Sequence, residues 1–130
     1  MDDLKDLFGD VIHTYTRAQA LADGALKDVS ETAKEAGFRI PVAVTAAVWS
    51  RYVELTPAAK KAGNDIDGRL WDVLWMAYVA ARGNPEAQEF LYQLRVVTDR
   101  PKPELVQLKL HVGPGDDLEP VITIMLPEED

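Results

Sequence analysis

GRLWDVLWMAYVAAR, residues 68–82, is the stretch on which the fold turns. Asp67 stands before it as a candidate N-cap, and Gly83-Asn84-Pro85 follow as a stop. Leu70, Val73, Leu74, Ala77 and Ala81 recur at helical spacing, while Trp71, Trp75, Tyr78 and Val79 fill much of the other side. Residues 73–81 carry no charge. A helix apolar nearly all round is expected to be buried on most of its circumference, which places Trp75 in the core. Arg69 and Asp72 interrupt it, and it is too short to span a bilayer. Asp72 is the one carboxylate inside the run. It faces water or pairs with Arg69, three residues earlier. The functional alternative holds it in an aromatic-lined cleft with Trp71 and Trp75.

Upstream of this helix the chain reads as short helices and extended pieces. Residues 2–9 suggest a helical turn ended by Gly9, and residues 11–15 a short strand or extended entry. Thr16, with Gln19 three residues on, has capping-box spacing, and the helix it opens runs to Asp23-Gly24. Residues 25–29 are extended, Ser30 is placed to cap a second helix, and Gly37 ends it. FRIPVAV, residues 38–44, is extended. Pro41 constrains Ile40 and donates nothing to a ladder, so an edge piece or an ordered loop is expected rather than a central strand. Thr45 caps a third helix over 46–55, Thr56-Pro57 ends or bends it, and 57–66 reads as a flexible loop.

Downstream the period changes from helical to alternating. Phe90, Tyr92, Leu94 and Val96 form one face, and Val106, Leu108, Leu110 and Val112 another. DRPKP (99–103) and GPGDDLEP (113–120) are turns, and 121–126 is a third strand. Three strands joined by short loops make an antiparallel meander. The fold class is α+β: short N-terminal helices and extended segments, a buried central helix, and a C-terminal three-stranded antiparallel meander.

The 130 residues fit one domain with short acidic ends. There is no cysteine, hence no disulfide and no thiol nucleophile or ligand. The formal charge of −8 is unevenly placed. Residues 1–10 hold four acids and one lysine, residues 113–130 six acids and no base, and the body between them is nearly neutral. Acidic ends read as solvated tails, and a neutral body argues against binding duplex DNA through a basic face. The acidic start has no apolar signal region, so a cytoplasmic location without membrane association is expected.

The polar constellations are few. His13-Thr14-Tyr15-Thr16-Arg17 sits at a junction entering a helix, where backbone amides and Arg17 could receive an anion. The structural alternative is a threonine cap with a surface arginine. Asp28 and Ser30 can be written into a triad with His13, but no strained turn surrounds Ser30, and a plain helix cap is the competing reading. The histidines, His13 and His111, fall in no metal-binding spacing, and Asp116-Asp117-Glu119 read as turn residues, so no metal and no cofactor is expected. The weak ligand-binding candidates are therefore His13, Tyr15, Arg17, Asp28 and Asp72, with no catalytic residue assigned.

Four blocks carry a resemblance: IHTYTRAQALADGALKDVS (12–30), FRIPVAVTAAVW (38–49), GRLWDVLWMA (68–77), and LKLHVGPGD with EPVITIMLPEED (108–116 and 119–130). Together they resemble an uncharacterised bacterial domain-of-unknown-function family found on plasmids, phages and integrative elements. The resemblance implies a mobile-element setting and carries no activity with it. Two functions follow as expectations. One is a small non-catalytic accessory protein that binds a protein partner. The other is a small enzyme or nucleotide- or anion-binding domain with its site near residues 13–17.

Overall fold

The computed structural model describes residues 15–130. Its elements run α1 (Arg17–Asp23), β1 (Leu26–Asp28), α2 (Ser30–Ala36), β2 (Val42–Thr45), α3 (Ala46–Val48), a π-helical turn (Trp49–Val53), α4 (Pro57–Lys61), α5 (Ile66–Arg82), β3 (Glu89–Val96), β4 (Glu104–Pro114) and β5 (Pro120–Met125). The α+β reading holds. The expected short helix over 2–9 and most of the extended entry over 11–15 lie outside the described residues.

The meander forms with the alternation the sequence sets. β3 pairs antiparallel with β4, matching Phe90 with Leu110, Tyr92 with Leu108 and Leu94 with Val106. β4 pairs antiparallel with β5. The sheet extends further, to five strands in the order β1-β2-β5-β4-β3. β2 runs parallel to β5, so the segment expected at an edge is an interior strand. Pro41 permits this because it precedes the first paired residue. Its missing N–H is not called upon, while its carbonyl accepts from the amide of Ile122 at 2.9 Å. A strand of Val-Ala-Val buried on both faces matches this interior place.

Three local starts and stops also differ from expectation. Ser30 does not cap α2. Its Oγ donates to Asp28 Oδ1 at 2.6 Å and accepts from the amide of Val42 at 3.0 Å, tying α2 to β2. Residues 57–61 are helical rather than loop, because Thr56 caps the amide of Ala59 and Pro57 occupies the first turn, where no donor is needed. The helix expected over 46–55 is one α-helical turn capped by Thr45, followed by the π-helical turn.

The core lies between one face of the sheet and the helices. Val42, Val44, Ile122, Ile124, Leu108 and Leu110 meet Ala33, Leu70, Val73, Leu74 and Ala77 there. α1 packs beside β1. Within the acidic C-terminal stretch Glu128 and Asp130 are exposed, whereas Glu129 is docked. Glu129 Oε1 accepts from Thr45 Oγ1 and from the amide of Leu126, both at 2.8 Å, and its carbonyl accepts from Lys109 Nζ at 2.5 Å.

Candidate functional site

α5 begins at Ile66, two residues earlier than its expected first residue, Gly68. Asp65, not Asp67, is the N-cap and accepts from the amide of Gly68 at 2.7 Å, so Gly68 falls inside the first turn. Leu70, Val73, Leu74 and Ala77 face the sheet and are buried, and Tyr92 Oη donates to the Val73 carbonyl at 3.0 Å. Trp71, Tyr78, Ala80 and Ala81 are half-buried against the core and the outermost side is exposed, which corrects the expectation of a helix covered nearly all round. Trp75 is 41% exposed, Val79 46% and Met76 36%. The small and aliphatic residues take the sheet-facing side, so Trp71 packs only against the margin of the core and Trp75 is left exposed.

The aromatics instead form a ladder. Residues 71, 75, 78 and 82 are spaced by four, three and four and so share one flank of the helix. The rings of Trp71 and Trp75 stack 5.8 Å apart, 9° from parallel. Trp75 and Tyr78 lie 5.8 Å apart at a tilt of 30°. Arg82 sits over the Tyr78 ring at 5.9 Å. Phe38, just after α2, meets Tyr78 edge-on at 5.5 Å. Gly37 makes that approach possible: a Cβ there would lie 2.6 Å from the tyrosine ring, and its φ of 126° disfavours any other residue. Past Phe38 a cavity of about 500 Å³ opens, with Lys34, Arg39, Ile40 and Pro41 among its walls. The flank is therefore an aromatic strip, half-buried at Trp71 and Tyr78 and exposed at Trp75, with Lys34, Arg39 and Arg82 around one end.

The segment entering α1 is built differently. His13 and Thr14 lie outside the described residues. The Thr16–Gln19 capping box is present in both directions. Tyr15 Oη donates to Asp23 at 2.5 Å, which raises the phenol's pKa and lowers that of the carboxyl. Arg17 is half-buried. Its Nη1 donates to Thr123 Oγ1 at 2.7 Å and its Nη2 to the Ile122 carbonyl at 2.9 Å, pinning α1 to β5. Burial lowers its pKa, against the pull of Asp116, Asp28 and Glu119. The amides at the helix start already have an anion. Asp116, from the turn between β4 and β5, accepts from the amides of Arg17 and Ala18 at 2.8 and 2.9 Å, which holds its carboxyl below the ordinary range. Asp28 accepts from Ser30, and it lines a cavity of about 320 Å³ with Arg17, Asp116 and Glu119. Tyr15 and Arg17 also border a groove of about 640 Å³ that reaches His111 and Thr123. Arg17 and Asp28 thus come together, and Tyr15 lies beside them.

Asp72 stands elsewhere. It is exposed and lines a small cavity with Tyr52, Arg69 and Arg95 rather than with the tryptophans. Partial burial raises its pKa and Arg69 opposes the shift. Arg69 itself is 4% exposed and serves mainly carbonyls. Its Nε donates to Val53 O at 3.1 Å, and its Nη1 to Val97 O at 2.8 Å and Asn64 Oδ1 at 3.2 Å. It ties the π-helical turn, the loop before α5 and the end of β3 together. The sequence carried one sign of this role: a cation in the first turn of a helix opposes the macrodipole, so another demand places it there. The Asp116 cap had no such local sign, since its amide partners lie 98 and 99 residues away. Among the described residues, no group of three His, Asp or Glu side chains could hold a metal, and no helix is long and apolar enough to cross a membrane.

A five-stranded mixed sheet, a main core under one face with α1 pinned to the other, and an outward aromatic strip define a small α+β protein. The chain belongs to a family of unknown function, DUF6573, whose model matches residues 5–130. No curated protein and no solved structure matches it.

Proposed function

We propose that this chain is a non-catalytic interaction module that presents the Trp71–Trp75–Tyr78 flank of α5 to a partner protein. The exposure of Trp75, held in a stack between Trp71 and Tyr78, carries the reading. Aromatics fixed by their neighbours lose little side-chain freedom on binding, which is why Trp and Tyr dominate interface hot spots. Lys34, Arg39 and Arg82 at one end suit a partner segment that is apolar along its length and carries carboxylates at one end. We further place the protein in the cytoplasm as an accessory factor of a bacterial mobile genetic element; the resemblance of its four sequence blocks supports that setting. The near-neutral body supports the absence of duplex DNA binding.

The anion-site alternative near residues 13–17 has less support, because Asp116 occupies the α1 amides and Arg17 is spent on Thr123 and Ile122. The test uses the full chain and an array of apolar peptides with acidic flanks, read by tryptophan fluorescence. Binding should be lost in Trp75→Asp and weakened in Arg39→Glu, with the circular dichroism of both variants unchanged. Binding that survives Trp75→Asp, or an array in which no peptide binds, would overturn the reading.

A further inference from the structure

Among the described residues the outer edge of β3 is also left open, and it uses none of the residues of the aromatic flank. In the antiparallel pair with β4, the carbonyl of Gln88 accepts from the amide of Val112 at 2.7 Å. Alternation then assigns the even residues Phe90, Tyr92, Leu94 and Val96 to the β4 ladder. The odd residues Glu89, Leu91, Gln93 and Arg95 turn their amides and carbonyls outward. Among the described residues no strand pairs with that edge. The strand is eight residues long and contains neither proline nor lysine, two common devices for blocking an edge. Leu91 is 51% exposed on its open face. On the helix side, Asp72 lines a cavity with Arg95 and Val96, so that flank of α5 overlies the end of β3. Met76, one turn further along the same flank, is 36% exposed.

We propose that β3 pairs antiparallel with β3 of a second copy of this chain, about a two-fold axis through Tyr92, to give a continuous ten-stranded sheet. The side chains select this register. An axis at Tyr92 sets Glu89 opposite Arg95 of the second copy, and Arg95 opposite its Glu89, with Leu91 opposite Gln93. An axis at Gln93 would set Arg95 opposite Leu91 and leave both charges unmatched. Both axes set outward-facing odd residues opposite each other, so bonded pairs exchange two hydrogen bonds in either, and the charge match at Glu89 and Arg95 selects Tyr92. The interface is isologous: one strand supplies both halves of the charge complement. Apolar side chains on either side of the sheet, Leu91 below and Met76 above, would be covered in the same step.

The charge pairs supply the test, with mass measured by light scattering after gel filtration of the full chain. Wild type should run at twice the 14.4 kDa of the single chain. Glu89→Arg alone and Arg95→Glu alone should each weaken the dimer about tenfold, because two matched pairs become two like-charge pairs. Glu89 also contacts His111 at 3.1 Å, so the Glu89 variant by itself could act through that contact. The exchanges remove the ambiguity. An equimolar mixture of the two single variants should recover the dimer, and so should the chain carrying both changes. Gln93→Pro, which removes one outward amide and spares the β4 ladder, should give a folded monomer. A monomeric wild type, or a dimer indifferent to all three substitutions, would overturn the proposal.

Discussion

The two long sides of α5 are made of neighbouring residues with opposite fates. Leu74 is fully buried, and Trp75, next in the chain and larger, is 41% exposed. Val73 is buried and Val79, the same residue type, is nearly half exposed. Hydrophobicity alone does not decide which side goes in. The sheet offers a shallow surface of Leu, Ile and Val side chains, and close helix packing against it favours Leu, Val and Ala. Trp75 is left to stack on the half-buried Trp71. One face of the helix therefore holds the fold and the other is the one proposed to meet a partner, so substitutions on the two faces should separate stability from binding.

The largest effect is expected on the inner face. Leu74→Ala should cost about 2–5 kcal/mol, a lost side chain plus an unfilled cavity, read by denaturant unfolding. A loss under about 1 kcal/mol would mean the inner face is loosely packed and the contrast between the two sides is weak. Arg69→Met comes next. It keeps the apolar stem but strips donors from the carbonyls of Val53 and Val97, which should cost about 2–4 kcal/mol. Asp72→Ala should do far less, since Arg69 is held by carbonyls and not by that carboxylate. Equal losses from the two variants would show the pair to be the true anchor.

A smaller effect is expected at the α1 anchor, with a definite sign in pH. Asp116 has a lowered carboxyl pKa because two amides donate to its charged form. Its contribution is then complete above the ordinary carboxylate range and is lost as pH falls through its own lowered value. Asp116→Asn should therefore melt below wild type at neutral pH, and the gap should close on acidification. A gap that stays constant with pH would mean Asp116 acts through shape rather than charge.

Much of this frame was legible in the sequence, and the failures share a cause. The Thr16–Gln19 box, the Thr45 cap and the pairing faces of β3 and β4 depend on spacings of two to four residues, which local rules resolve. The interior place of β2 was missed because Pro41 signals an edge unless its carbonyl partner, Ile122, is known. Asp116 and Glu129 read as solvated acids because the partners that dock them, the α1 amides and Thr45, lie far away in the chain. The burial of one side of α5 was legible and the exposure of the other was not, since periodicity marks an apolar side without saying whether anything covers it. Of the candidate site, Arg17, Asp28 and Tyr15 proved to be neighbours, whereas Asp72 lies with Arg69 and Arg95.

The smallest expected change in stability is the most informative. Trp75→Ala removes two ring contacts from an exposed strip and should cost about 1 kcal/mol. Thermal melts of Trp75→Ala and Leu74→Ala, run side by side with wild type, compare the two faces directly. The Trp75 variant should melt within roughly 5 °C of wild type, and the Leu74 variant should fall by about 10 °C or more. If Trp75→Ala falls as far as Leu74→Ala, the indole belongs to the core, and the aromatic flank is not a surface held ready for a partner.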